Sequence, residues 1–166
     1  MKTAFLALFV SLITLTSACA QSPRVTADGK NVSVAYGQPS KKGRVLFGKE
    51  GSESLEKYDK LWRTGANAST EITFKKDGTF AGKSVKAGTY SLFTIPGEKE
   101  WSIILNSVLG QSGASEYEKN KGKDVLKVTV PAKKYPTSAE KLTFTVKDNS
   151  VDFQWDKEGF SVPVKF

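Results

Sequence analysis

Arginine is scarce in this chain, and one copy stands between a tryptophan and a glycine turn. Residues 61–70 read Leu-Trp-Arg-Thr-Gly-Ala-Asn-Ala-Ser-Thr, while Arg24, Arg44 and Arg63 are the only arginines among 25 basic residues. The Arg63 guanidinium is a planar fork of donors suited to a carboxylate, a phosphate or sugar hydroxyls. The indole of Trp62 beside it can stack on a sugar ring or cap a cation. Asn67 adds an amide, so Trp62, Arg63 and Asn67 form a candidate site for a carbohydrate or small polar ligand. The same residues also admit an architectural reading. Gly65 permits a tight turn, Asn67 can bond its own backbone, and Arg63 can clamp strand ends through carbonyls or a carboxylate such as Glu71. Both readings stay open. Tyr90 and Asn106, near the ends of residues 88–106, are further candidates to line a pocket. Trp101 and Trp155 lie on apolar rows and are expected in the core.

Catalytic chemistry finds little support. There is no histidine, and the single cysteine is Cys19. If cleavage falls after Ala20, thiol nucleophiles, Cys/His zinc sites and His-dependent triads are excluded. Glu71, Glu98, Glu100, Asp152, Asp156 and Glu158 fall mostly on wet rows or in turns, and nothing in their spacing joins two across a cleft. Neither a Gly-x-Ser-x-Gly nor a phosphate loop is present. Asp77-Gly78 and Asp148-Asn149-Ser150 read as turns rather than calcium loops. The sequence thus points to no metal, no cofactor and a non-catalytic protein, with glycan hydrolysis the third reading behind ligand binding and a purely structural or protein-interaction role.

The first twenty residues read as a secretory signal peptide: Lys2, a largely apolar run from Ala4 to Leu15, and small residues at the exit. That run is too short for a permanent membrane span, and no second one follows. Two exits are open. Ala18-Cys19-Ala20 is a small-x-small site leaving Gln21 first; Thr16-Ser17-Ala18-Cys19 loosely resembles a lipobox, in which Cys19 is lipidated. The expectation is an exported protein, periplasmic or extracellular, alternatively anchored by lipid to the outer membrane. Formal charge is +8 over 166 residues. The lysines are scattered through turns and strand edges, with no basic helix or arginine-rich run, so nucleic acid is not expected as a partner. A basic surface that meets anionic envelope polymers is the simpler expectation.

The elements that must position these residues alternate with period two, the signature of half-buried strands. Leu142, Phe144 and Val146 form one apolar row; Val151, Phe153 and Trp155 form a second after Asp148-Asn149. Phe160, Val162, Val164 and Phe166 form a third after a turn at residues 157–159, giving a three-strand meander. Residues 70–74 lead into Lys76-Asp77-Gly78, a hairpin signal. Leu55, Tyr58 and Trp62 could mark one helical turn. Residues 110–123, polar and glycine-rich, read as a mobile loop. Residues 88–106 break the one-wet-face rule. In the first arm Tyr90 and Leu92 form one apolar row and Phe93 and Ile95 the other; in the second, Trp101, Ile103 and Leu105 are opposed by Ile104. That hairpin needs a cover on its second face: a loop, a partner chain or a ligand. Residues 61–67 are the expected cover, with Trp62 packing down and Arg63 tying strand ends. The fold expected is one all-β domain over residues 21–166, an antiparallel β-sandwich of Greek-key or jelly-roll type with roughly eight to ten strands.

The blocks Gly-Arg-Val-Leu-Phe-Gly at 43–48, Leu-Trp-Arg-Thr-Gly-Ala-Asn at 61–67, Ala-Gly-Thr-Tyr-Ser-Leu-Phe-Thr-Ile-Pro-Gly at 87–97 and Ser-Val-Pro-Val-Lys-Phe at 161–166 carry a resemblance. In this order the chain is similar to the exported bacterial family known as domain of unknown function 2911, from about residue 22 to the end. The resemblance implies export and a bacterial host, and it carries over no catalytic or ligand residue. Two departures stand out. Glu56-Lys57-Tyr58-Asp59-Lys60 replaces the family's Pro-Tyr-Gly-Lys before the Trp-Arg pair. Gln111-Ser112-Gly113 replaces a Gln-Trp-Gly, so a loop tryptophan is missing.

Overall fold

The computed structural model describes residues 21–166; the expected signal peptide and Cys19 lie outside the described residues. Alternating rows become strands wherever one face can be buried. In chain order these are β1 (Arg24–Asp28), β2 (Val32–Gly37), β3 (Phe47–Gly48), β4 (Glu56–Lys57), β5 (Thr70–Phe74) and β6 (Gly78–Phe80). They continue with β7 (Lys83–Val85), β8 (Gly88–Ile95), β9 (Glu100–Asn106), β10 (Asp124–Pro131), β11 (Lys133–Val146) and β12 (Ser150–Lys165). A six-stranded antiparallel sheet runs β1-β2-β5-β8-β9-β10, and a four-stranded sheet runs β11-β12-β6-β7. Both turn apolar rows onto one core: Val34, Ile72, Leu92 and Ile103 from the first, Leu142, Phe153, Phe160 and Val162 from the second. The all-β sandwich holds. The strand count rises to twelve among the described residues, partly because β3 and β4 form a two-residue parallel pair. That pair replaces the expected helical turn near Leu55.

Three local expectations are corrected. The meander's second and third rows are one strand, β12. Buried residues run Val151, Phe153, Trp155 and then Phe160, Val162, Val164, a change of parity that a straight strand cannot make. The irregular pairing with β11, Ala139 opposite Asp156 and Lys134 opposite Glu158, absorbs the shift as a bulge, with Asp156 at φ 53°. Gly159 is required there, since a Cβ would stand 1.9 Å from the Phe153 carbonyl oxygen. Second, Asp77-Gly78 does not close a β5–β6 hairpin. β5 pairs with β2 and β8, while β6 joins the other sheet, so this turn carries the chain across the sandwich. Third, residues 110–123 contain helix α1 (Ala114–Asn120) and a 3₁₀ turn, Lys121–Lys123.

Helix α1 supplies the missing cover. Tyr117 packs against Phe93, ring centroids 4.9 Å apart, and with Ile104 and Leu61 they form a small second core on the outer face of the β8–β9 hairpin. The Tyr117 hydroxyl donates to Asp124 Oδ2 at 2.7 Å. Burial, with Asp124 beside it, pushes that phenol well above its ordinary range. The cover is therefore shared by α1 and Leu61, and Trp62 is not part of it. The reason is strand geometry. Trp62 exchanges two backbone hydrogen bonds with Thr94, prolonging the sheet past the end of β5. Side chains alternate there, so Leu61 falls on the side of Phe93 while Trp62 falls on the side of Leu92.

Candidate functional site

Trp62 enters the main core at 5% exposure, and its ring stacks on Trp155 at 6.0 Å with planes 11° apart. Phe47, Trp101 and Phe153 surround the pair edge-on or tilted. The indole faces are thus taken up by other rings, and only their margins reach the surface. A sugar stacked flat on Trp62 is not sterically available.

Those margins floor a cleft of about 440 Å³. Its walls are the Pro39–Arg44 segment, β4 with Leu55, and the turn after Trp62; Ser22 closes one end. Backbone geometry around it is unusual: Lys42, Thr64 and Asn67 hold φ of 50°, 60° and 64°. Asn tolerates the left-handed region, but a β-branched threonine there is an outlier. Thr64 is held in place from several sides. Its hydroxyl donates to the Trp62 carbonyl and pairs with Thr94, while its own carbonyl accepts from Thr70 Oγ1. Strain maintained by surrounding bonds is characteristic of sites that need a fixed shape. The turn also presses on β2: a Cβ on Gly37 would lie 2.0 Å from the Ala66 carbonyl oxygen.

Arg63 serves both readings. Its Nη1 donates to the Ser112 carbonyl at 2.6 Å and its Nε makes a long contact to the Gly65 carbonyl, tying the turn to the start of α1. Its Nη2 has no hydrogen-bond partner among the described residues, and the side chain lines the cleft. The clamp on Glu71 belongs instead to Arg24, whose Nη2 is 3.1 Å from that carboxylate. Beyond Arg63 lies a smaller recess of about 190 Å³ bounded by Gly113 and Ala114, which shares Glu56, Trp62 and Arg63 with the main cleft.

Glu56 is the residue that sequence reading missed. It sits on β4, whose backbone is fastened to Leu46, and Lys57 steadies the preceding loop through the carbonyls of Ser52 and Ser54. Its carboxylate makes no hydrogen bond or ion pair to a described residue. Burial pushes the carboxyl up to about 7, despite the opposing charges of Arg63 and Lys57. Nothing in the polar run of residues 49–60 marks Glu56 apart from its neighbours; only the β3–β4 pairing turns it inward.

The other predicted residues lie elsewhere or act as supports. Asn67 is exposed and its amide donates to the Ser22 carbonyl, holding the N-terminal segment at the cleft's end. Tyr90 packs on Phe74, its hydroxyl donating to the Lys86 carbonyl. Asn106 is fully buried in a network: its amide donates to the Asn120 carbonyl and Asp124, and its oxygen accepts from the Val108 amide and Gln111. That network seats α1 against β9. The structure therefore brings Trp62 and Arg63 to one cleft with Glu56, and separates them from Tyr90 and Asn106.

Fold and cleft together define a β-sandwich domain with a polar, cationic groove at one end of its aromatic core. The chain belongs to the family described as "Protein of unknown function (DUF2911)", whose model matches residues 18–164. No curated protein and no solved structure matched the chain. Among the described residues no helix is long and apolar enough to cross a membrane.

Proposed function

We propose that the protein is an exported, non-catalytic binding module of the bacterial envelope. Its ligand, a carbohydrate or other small polar molecule, occupies the cleft between Arg63, Glu56 and Lys42. The observation that carries this reading is the Nη2 of Arg63, uncommitted in a cleft whose volume lies in the range of small-ligand sites. A second cleft of about 420 Å³ near Tyr58 offers a contrast: its lining carries four acids against three lysines, and two of those lysines are paired, Lys49 with Glu98 and Lys60 with Glu50. The three cations of the Arg63 cleft have no carboxylate partner within 4 Å among the described residues.

Glu56 is the single carboxylate among the described lining residues, and two-carboxylate glycoside hydrolysis requires a second. This favours binding over turnover. A protein-interaction role rested on an uncovered hairpin face, and that face is filled by Tyr117 and Leu61 from the same chain. The leader implies export, to the periplasm or beyond it; lipidation at Cys19 would instead hold the domain at the outer membrane, with the cleft's Ser22 close to the anchor.

A thermal-shift and glycan-array screen of the mature domain tests the reading. A ligand should raise the melting temperature of wild type and fail to raise that of a folded Arg63→Ala variant. If no compound shifts wild type, or Arg63→Ala responds equally, the cleft is not the site.

A further inference from the structure

Resting on that reading, we infer that the ligand carries a carboxylate, and that the cleft admits it with Glu56 in its neutral form. The charge layout is the first ground. Lys42, Arg44 and Arg63 line the cleft against one acid, Glu56. Arg44 spends Nε and Nη2 on the carbonyls of Lys41 and Ser40, which fixes its charge at the rim. Lys42 Nζ and Arg63 Nη2 have no partner among the described residues. Lys42 and Arg44 are exposed, so beside a neutral ligand water keeps their charge, whereas an anion exchanges that water for charge-assisted bonds.

The second ground is the position of Glu56. It lines both recesses together with Trp62 and Arg63, with no donor among the described residues holding its carboxylate. The groups facing it are few. Arg63, from the turn after Trp62, and Lys57 are the charges that act on it, while Lys42 and Arg44 line the same cleft from the segment between Ser40 and Leu46. Lys57 on its own strand is turned to serine carbonyls, and the Gly113–Ala114 wall is uncharged. A bound carboxylate shares Arg63 with Glu56, and two ionised carboxylates there repel. A neutral Glu56 instead donates a hydrogen bond to the incoming anion. Burial already places its titration near neutrality, so small changes of pH alter the balance.

The sign follows by linkage. An anion beside Glu56 raises its affinity for a proton, so binding takes up a proton wherever the free protein has lost it. Affinity is highest below about pH 6 and falls as pH rises through about 7, approaching tenfold per unit above that point.

The test is calorimetric titration of the mature domain with tri-galacturonate, maltotriose and succinate at about pH 6 and about pH 8. The uronate carboxylates remain ionised across this window, so the pH comparison is read on tri-galacturonate; succinate, whose second carboxyl is still partly protonated at the lower pH, is compared at the higher pH alone. Tri-galacturonate should bind at least about fivefold more tightly at the lower pH, with proton uptake visible between buffers of different ionisation enthalpy. In Glu56→Gln its affinity should be constant within about twofold. Lys42→Asn, which tolerates the left-handed backbone, should weaken the acidic ligand alone. Succinate binding in place of the saccharide keeps the carboxylate inference and assigns a non-sugar ligand. Maltotriose binding as tightly as tri-galacturonate, or a pH response that survives in Glu56→Gln, overturns the inference while the binding site stands. If none of the three binds wild type, the inference fails; the binding reading fails with it only when the thermal-shift and glycan-array screen is negative as well.

Discussion

The rings of Trp62 and Trp155 stack at 6.0 Å, joining the turn that carries Arg63 to the bulged strand β12 of the opposite sheet. This contact fixes the cleft floor and the core together. Trp62→Ala should cost about 3–5 kcal/mol in urea unfolding, the range for a large buried ring. Arg63→Ala should cost about 1 kcal/mol, because its carbonyl bonds lie at the surface. Equal losses at the two positions would contradict the division of labour between them.

Stability should depend on pH through Glu56. Its carboxyl titrates near 7 in the folded protein against an ordinary 4.5, so the folded state keeps a proton that the unfolded chain releases. The stability contributed by Glu56 therefore falls as pH rises from about 4.5 to about 7, then levels off. The loss is at most about 3 kcal/mol by linkage, and less with solvent screening at the cleft mouth. Unfolding free energies measured across that range should slope downward in wild type, and Glu56→Gln should remove that part of the slope.

Helix α1 should behave as a cover. Tyr117→Phe removes the bond to Asp124 and should cost about 1 kcal/mol. Tyr117→Ala uncovers Phe93 and Ile104 and should cost about 2–4 kcal/mol, with increased binding of a hydrophobic dye. Similar, small effects from both would place the second core outside the stable fold.

Close backbone approach at Gly37 should make it intolerant. Gly37→Ala forces the Ala66 carbonyl away and should lower stability by more than about 3 kcal/mol. Gly43 has φ 70° with nothing within 4 Å of a Cβ, so Gly43→Ala should cost only about 1 kcal/mol. Comparing the two melting curves separates steric from conformational cost.

Period-two rows at Leu142–Val146 and Val151–Trp155 made the sandwich legible, because burial of one face dictates that pattern. The doubly apolar residues 88–106 also announced a second cover. What covers them was hidden: α1 is seven residues long with a single buried ring, too short to show helical periodicity. The bulge at Asp156 imitated a turn, since both reverse the parity of a row. At the site, Trp62 and Arg63 stood out by residue type and do share a cleft. Glu56 did not stand out, because its inward position comes from the pairing of β3 with β4 and from tertiary burial, neither of which leaves a local mark.

Occupancy of the cleft between Arg63, Glu56 and Lys42 can be read residue by residue in a two-dimensional NMR titration of residues 21–166 with tri-galacturonate, maltotriose and succinate in turn, following the tryptophan indole and arginine side-chain signals. At least one of them should shift Arg63, Trp62 and residues 40–44, with Trp101 signals unmoved. Shifts confined to residues away from this cleft, or none at any concentration, would contradict it.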